Sequence, residues 1–130
     1  MTIRQLRLVV HATDYDQALT FFRDVLGMPT AEAYSGPGGA EVTILDAGRA
    51  TIELANDAQV DYIDEVEVGR RVAPHFRVAL EVDDCAAATE TAVEGGASPV
   101  APPTLTPWNS VNARFDVPGE VHLTLFEERA

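Results

Sequence analysis

Two arginines occupy equivalent places in two similar stretches of the sequence. Arg7 opens the stretch that ends at Asp14, and Arg77 opens the stretch that ends at Asp84, so both pairs are 70 residues apart. A guanidinium is a planar fork of N–H donors that suits a carboxylate or an enolate. It stays protonated and has no lone pair for a metal ion. The pair therefore favours recognition of an anionic or carbonyl-rich group.

Each arginine is predicted to lie on a strand that leads into a helix. In the second stretch Val78, Leu80 and Val82 alternate with other residues, the two-residue period of a strand with one packed face. The first stretch has the same alternation over residues 3–12. The two aspartates then precede helical patterns at about 15–26 and 85–94, where a carboxylate can accept hydrogen bonds from free backbone N–H groups.

The remaining patterns complete two similar halves. Apolar runs between turn residues predict strands at 28–34, 40–46 and 50–54, and again at 98–102, 110–115 and 121–126. We predict a first module over residues 1–55, an acidic linker over 56–74 and a second module over 75–130. The linker carries five carboxylates between 57 and 67, and we expect it to be a solvated, charged loop.

Composition excludes several classes of function. The 130 residues carry 9 basic and 21 acidic side chains, a net charge of −12, which repels nucleic acid and acidic membrane surfaces. No apolar run approaches the roughly 20 residues of a membrane span, and no secretion signal is visible at the N-terminus. The single cysteine, Cys85, allows no internal disulfide and is predicted to be a packing residue. We expect a cytoplasmic protein.

Three stretches resemble the vicinal oxygen chelate superfamily, which includes glyoxalase I, extradiol dioxygenases and bleomycin-resistance proteins. The segment Asp14–Gly27 is similar to the first helix of that family, which ends in a Phe-Tyr-x-x-x-Leu-Gly pattern. Residues 77–84 resemble the opening of the second module, and residues 112–127 resemble its closing hairpin. The resemblance implies an α+β fold of two βαβββ modules that form curved mixed sheets around a central cavity.

The family also implies four positions for metal ligands, one on the first and one on the last strand of each module. In this sequence they are Arg7, Glu53, Arg77 and Thr124. His or Gln is usual at the first-strand positions and Glu at the last-strand positions, so only Glu53 keeps a metal-binding side chain. We therefore predict no metal ion and no other cofactor.

Three histidines could hold a displaced metal ion, because His11, His75 and His122 share the parity of the predicted cavity face. They are far apart along the strands, and we expect each to be a rim or packing residue. Arg114 is predicted to be a solvated strand residue.

Two interpretations of the paired arginines remain. In one, Arg7 and Arg77 form ion pairs with Glu53 and Glu81 and fill a site that has lost its metal. In the other they bind a ligand. The predicted ligand-binding residues are then Arg7, Thr51, Glu53, Arg77, Trp108, His122 and Thr124, with no catalytic residue. Trp108 either stacks on an aromatic ligand or anchors its loop.

The sequence thus predicts a metal-free protein that binds a small anionic or aromatic molecule, acting as a homodimer without nucleic-acid or membrane partners. One alternative is a lyase or dioxygenase that uses a displaced metal or Glu53 as general base. Another is a dimerisation module without a small ligand.

Overall fold

The structure, a computed structural model, describes residues 2, 4–5, 7–8, 10–50, 53 and 55–129. Within these residues the chain forms three α-helices and six strands, arranged in one two-stranded and one four-stranded sheet. This mixed α+β architecture with curved sheets confirms the predicted fold class. No helix in the same part of the chain is both long and apolar enough to cross a membrane.

The first half contributes a helix and a hairpin. Helix α1, Tyr15–Leu19, continues as a π-helical segment, Thr20–Val25. It begins where the sequence predicted, because the Asp14 carboxylate accepts a hydrogen bond from the backbone N–H of Gln17 at 3.1 Å. A 3₁₀ turn at Pro37–Gly39 joins two antiparallel strands, β1 at Thr30–Ser35 and β2 at Glu41–Leu45.

Two strands predicted in the first half are not found in the described residues. None of the described residues between 2 and 12 is in a strand, and neither is Ala50 or Glu53. The other members of the predicted strand at 50–54, Thr51, Ile52 and Leu54, lie outside the described residues. Alternation of apolar residues predicts a face that could pack, but it does not show that a neighbouring strand is available to pair with. In this structure Leu8 and Val10, which belong to that face, are exposed.

The second half matches its predicted order of elements. Strand β3 is Val78–Glu81, helix α3 is Cys85–Glu94, and strands β4, β5 and β6 are Ser98–Leu105, Ser110–Val117 and Val121–Glu128. The sheet order is β3-β6-β5-β4, with β3 parallel to β6 and the other pairs antiparallel. Strand β4 continues past the predicted end at Pro102 because it lies at the sheet edge, where proline removes no ladder bond that the sheet needs.

The predicted linker folds as helix α2, Asp57–Glu67, so the expectation of a solvated loop is wrong. The Asn56 side chain starts the helix by accepting a hydrogen bond from the backbone N–H of Gln59 at 3.0 Å. Its inward stripe follows helical spacing, and the members are Val60, Ile63, Asp64 and Glu67. Two of these four positions are carboxylates, and both are buried.

The hydrophobic core lies on one face of the four-stranded sheet. Its buried members are Phe21, Cys85, Ala92, Ala97, Ala113, Phe115, Val117, Leu123 and Leu125. Phe21 comes from the first half, so both halves share this core. The helices also meet closely, because a Cβ at Gly95 would stand 2.3 Å from Cγ1 of Val25. Since strand side chains alternate between faces, the opposite face of β5 and β6 is left for α2.

Candidate functional site

The opposite face of the four-stranded sheet is lined with buried polar side chains, and we call it the polar face. It consists of Ser110, Asn112 and Arg114 on β5 with His122 and Thr124 on β6, all of them buried. Arg114 and Thr124 are directly opposite one another in the β5–β6 ladder. A polar surface of this kind is stable inside a protein only when its donors and acceptors are paired.

Arg114 lies at the centre of the polar face and has no solvent exposure. Its Nη2 is 2.8 Å from Oδ1 of Asp64, and its Nη1 is 3.0 Å from Oε2 of Glu67. Its Nε donates to Nε2 of His122 at 3.0 Å. The prediction that Arg114 is a solvated strand residue is therefore wrong, because two carboxylates of α2 cover it.

Both carboxylates have further donors. Oε1 of Glu67 accepts from Nδ2 of Asn112 at 2.6 Å. Oδ2 of Asp64 accepts from the backbone N–H groups of Val72 and Ala73, each at 2.8 Å. Burial alone raises the pKa of the Asp64 carboxyl, but these backbone donors and Arg114 outweigh burial, and the net pKa is lowered. The cluster thus favours the ionised form of the Asp64 carboxyl against the sheet.

His122 must be neutral in this arrangement. Its Nε2 accepts from Arg114, so its proton lies on Nδ1, which faces Oδ1 of Asp116 at 3.3 Å. Burial and the neighbouring charge of Arg114 lower the pKa of His122, and Asp116 opposes them. Its ring nitrogens are therefore committed to protein partners.

Arg77, which precedes β3, differs from Arg114 in its contacts. It is partly buried, and its Nη1 donates to Oγ1 of Thr124 at 2.8 Å. Burial lowers the pKa of Arg77, and the charge of Arg114 lowers it further, while the carboxylates of Glu67 and Glu53 act in the opposite direction. Among the described residues no carboxylate lies within ion-pair distance of Arg77.

The structure brings some of the predicted site residues together. His122 and Thr124 lie on the polar face, Arg77 contacts it through Thr124, and Glu53 is exposed but close enough to act on the charge of Arg77. Arg7 is not part of this group, because its half-exposed side chain contacts Gln5 and Glu32. Thr51 lies outside the described residues. The proposed ion pairs of the two arginines with Glu53 and Glu81 are not formed among the described residues.

Trp108 packs against Tyr62 of helix α2. This ring contact does not involve Arg77 or Thr124, the predicted ligand-binding residues that contact each other. The ring centroid of Trp108 is 6.0 Å from that of Tyr62, with the planes tilted by 54°. Trp108 as a whole is still 43% exposed. This contact favours the interpretation of Trp108 as the anchor of its loop.

The residues at the family's metal positions do not fit a metal ion. Arg77 points a guanidinium at Thr124, so one of these positions donates a hydrogen bond to another instead of offering a lone pair. The remaining histidines do not compensate: His11 and His75 are exposed, and the ring of His75 packs on Phe76 at 4.6 Å. In the described part of the chain no three His, Cys, Asp or Glu side chains are grouped to hold a metal ion.

Sequence analysis missed the three most buried charged residues of the site. Asp64 and Glu67 are three residues apart on α2 and continue the apolar stripe of Val60 and Ile63. That spacing is present in the sequence, but two of the four inward positions are carboxylates, so the apolar residues alone do not show a helical period. Arg114 gave no signal of its own, because its burial depends on α2 covering it.

Comparison with known proteins places the chain in a family. The family model described as the Glyoxalase/Bleomycin resistance protein/Dioxygenase superfamily matches residues 4–125. The chain belongs to this superfamily, and the predicted membership is confirmed. No curated protein matches the chain significantly.

Solved structures of low sequence identity share the fold. A member of the same superfamily from Sphaerobacter thermophilus is 21% identical with a TM-score of 0.56, over 97% of this chain and 98% of that one. A glyoxalase-related enzyme from Fulvimarina pelagi is 14% identical with a TM-score of 0.59, over 97% and 89%. A protein of unknown function from Agrobacterium tumefaciens is 15% identical with a TM-score of 0.62, over 99% and 97%. Such identities establish the fold alone.

Proposed function

We propose that the protein binds a small molecule through an anionic or carbonyl-rich group beside Arg77, without using a metal ion. One observation carries the proposal. Arg77 is a partly buried cation with one hydrogen-bond partner, Thr124, and no ion-pair partner among the described residues. Desolvating a cation is costly unless an opposite charge or acceptor compensates. An anionic ligand supplies that compensation.

The contrast with Arg114 supports Arg77 as the binding residue. Arg114 uses its three nitrogens on His122, Glu67 and Asp64, so it has little capacity for a ligand. Within the described part of the chain Arg77 uses one of its five N–H donors, on Thr124. Thr124 adds a hydroxyl at the same place, and the exposed carboxylate of Glu53 modifies the local charge. Thr51 stays a predicted contact, whereas Arg7 and Trp108 take no part in this proposal.

Thermal unfolding with a ligand panel tests the proposal. The panel should contain aromatic and aliphatic carboxylates and enols such as salicylate and phenylpyruvate, at constant ionic strength. A ligand at 100 times its Kd adds about 2.7 kcal/mol to stability, which raises Tm by several degrees. We expect at least one member to raise Tm of the wild type and to lose this effect in Arg77→Gln.

Arg23→Gln is the matched control, because Arg23 is a partly exposed arginine whose partner is the adjacent carboxylate of Asp24. It should respond to the ligand as the wild type does. A ligand that raises Tm equally in Arg77→Gln would refute the role of Arg77. A panel without any stabilising member would refute small-molecule binding at this site.

A further inference from the structure

The hydroxyl of Thr124 accepts a hydrogen bond from Arg77, and the proton of that hydroxyl needs an acceptor of its own. Thr124 is 1% exposed, and its Oγ1 accepts from Nη1 of Arg77 at 2.8 Å. A hydroxyl that accepts one hydrogen bond still has its own proton to donate. In the part of the chain that the structure describes, no acceptor for this proton is found. A buried donor of this kind costs free energy until a partner arrives.

Two different donors therefore adjoin each other: the hydroxyl of Thr124 and the N–H groups of Arg77 that have no partner among the described residues. A carboxylate has two oxygens in one plane, so one can accept from the hydroxyl while the other accepts from the guanidinium. Both bonds would involve a charged group, and such bonds are roughly twice as strong as neutral ones.

The surrounding charges limit how negative the ligand can be. Asp64 and Glu67 carry two negative charges, Arg114 contacts both carboxylates, and Arg71 lies 3.8 Å from Asp64. Arg77 and the nearby carboxylate of Glu53 complete a set of three positive and three negative charges, which is neutral overall. A monoanion then adds one uncompensated charge, whereas a dianion adds two, close to buried carboxylates where water screens poorly. The net charge of −12 on the whole chain opposes a dianion further.

We infer that the anionic group recognised beside Arg77 is a single carboxylate, held between the guanidinium of Arg77 and the hydroxyl of Thr124, and that phosphate-like dianions are rejected. This inference rests on the proposed function and specifies its ligand class. Helix α2 limits the negative charge of the ligand, because its two carboxylates already neutralise the positive charge of Arg114.

Three probes that share a phenyl ring test the inference: benzoate, phenylphosphonate and benzamide. At pH 8 they carry a single negative charge, a double negative charge and no charge. Binding is measured at constant ionic strength by NMR of the Nε–H signal of Arg77, which Arg77→Lys identifies by its loss. We expect benzoate to shift this signal and to bind about tenfold or more tightly than either other probe, since one bond to a charged group corresponds to at least that factor.

Thr124→Val removes the hydroxyl at nearly constant volume and should weaken benzoate about tenfold. Thr124→Ser should restore binding, and Arg23→Gln should leave it unchanged. The inference is overturned if phenylphosphonate or benzamide binds as tightly as benzoate, or if benzoate leaves the Arg77 signal in place. The proposed function survives that result when another panel ligand still depends on Arg77, and it fails only when none does.

Discussion

Arg77 and Arg114 lie on either side of strand β6, yet their surroundings assign them different roles. Arg114 is fully buried and contacts two carboxylates and a histidine. Arg77 is partly buried, and within the described residues its one hydrogen bond is to the hydroxyl of Thr124. An arginine whose N–H donors all have protein partners stabilises the fold, whereas one with N–H donors to spare can bind a ligand. Residue type alone does not separate the two roles, because the difference lies in the partners.

His122 makes the stability of the protein depend on pH. Burial and Arg114 lower the pKa of His122 from its usual 6.5, so the folded protein keeps it neutral at pH values where the unfolded chain takes up a proton. The contribution of His122 to the free energy of unfolding is therefore complete above about pH 6.5, and it is lost as the pH falls below that value. We expect the free energy of unfolding, measured in urea, to decrease between pH 7.5 and 5.

His122→Gln is the comparison for this prediction, because a glutamine oxygen can still accept from Arg114 but does not titrate. Its loss of stability over the same interval should be smaller than that of the wild type. Asp64 does not interfere, because its lowered pKa means that its carboxyl titrates well below pH 5. Equal losses in both proteins would show that His122 is not the group responsible.

Helix α2 is held on the polar face by charge as well as by apolar contacts. Arg114→Met would remove the cation that contacts both buried carboxylates, and only Arg71, 3.8 Å from Asp64, would remain nearby. Breaking a buried pair by removing one partner costs about 3–5 kcal/mol. We expect a loss of that size in the free energy of unfolding, together with a changed fluorescence of Trp108, which contacts Tyr62 of the same helix.

Arg71→Met is a suitable control, because Arg71 is half exposed and its nearer partner on α2 is the exposed Asp61, whereas the buried Asp64 is 3.8 Å away. An exposed pair contributes less than about 1 kcal/mol, so this variant should remain close to the wild type. If Arg114→Met lost no more stability than Arg71→Met, the buried cluster would not be what holds α2 in place.

Sequence reasoning succeeded where one element carries its own signal. Asp84 and the alanine-rich run after it predicted α3 at the residues where it is found, because a capping carboxylate and helical spacing act within the element. It failed for α2 and Arg114, since each is defined by the other. From sequence alone, a stripe of carboxylates is predicted to be solvated, because the buried arginine that faces it is not yet known. In the same way, an arginine on a strand is predicted to be exposed, because the helix that covers it is not yet known.

The charge of the whole molecule acts against its own stability. With a net charge of −12, the folded chain repels itself more than the expanded chain does. Dissolved salt shortens the range of this repulsion to about 10 Å at 0.1 M. We expect Tm, followed by circular dichroism, to rise when NaCl is increased from low to physiological concentration.

A variant with less charge should respond less to salt. Glu90 and Glu94 are exposed on α3, and replacing both with lysine changes the net charge by +4, from −12 to −8. Its Tm should rise less over the same range of NaCl. A Tm that fell with salt in the wild type would mean that surface ion pairs outweigh the repulsion.

The contact between Gly95 and Val25 has a consequence for exchanging parts between relatives. A hydrogen is all that the end of α3 can present to Val25, because one added carbon would overlap with that side chain. A hybrid protein that takes its amino-terminal half from a relative must therefore carry a compatible, narrow side chain at the position of residue 25. Hybrids with a leucine or an aromatic ring there are expected to misfold or to require a compensating change, whatever ligand their sites were chosen to bind.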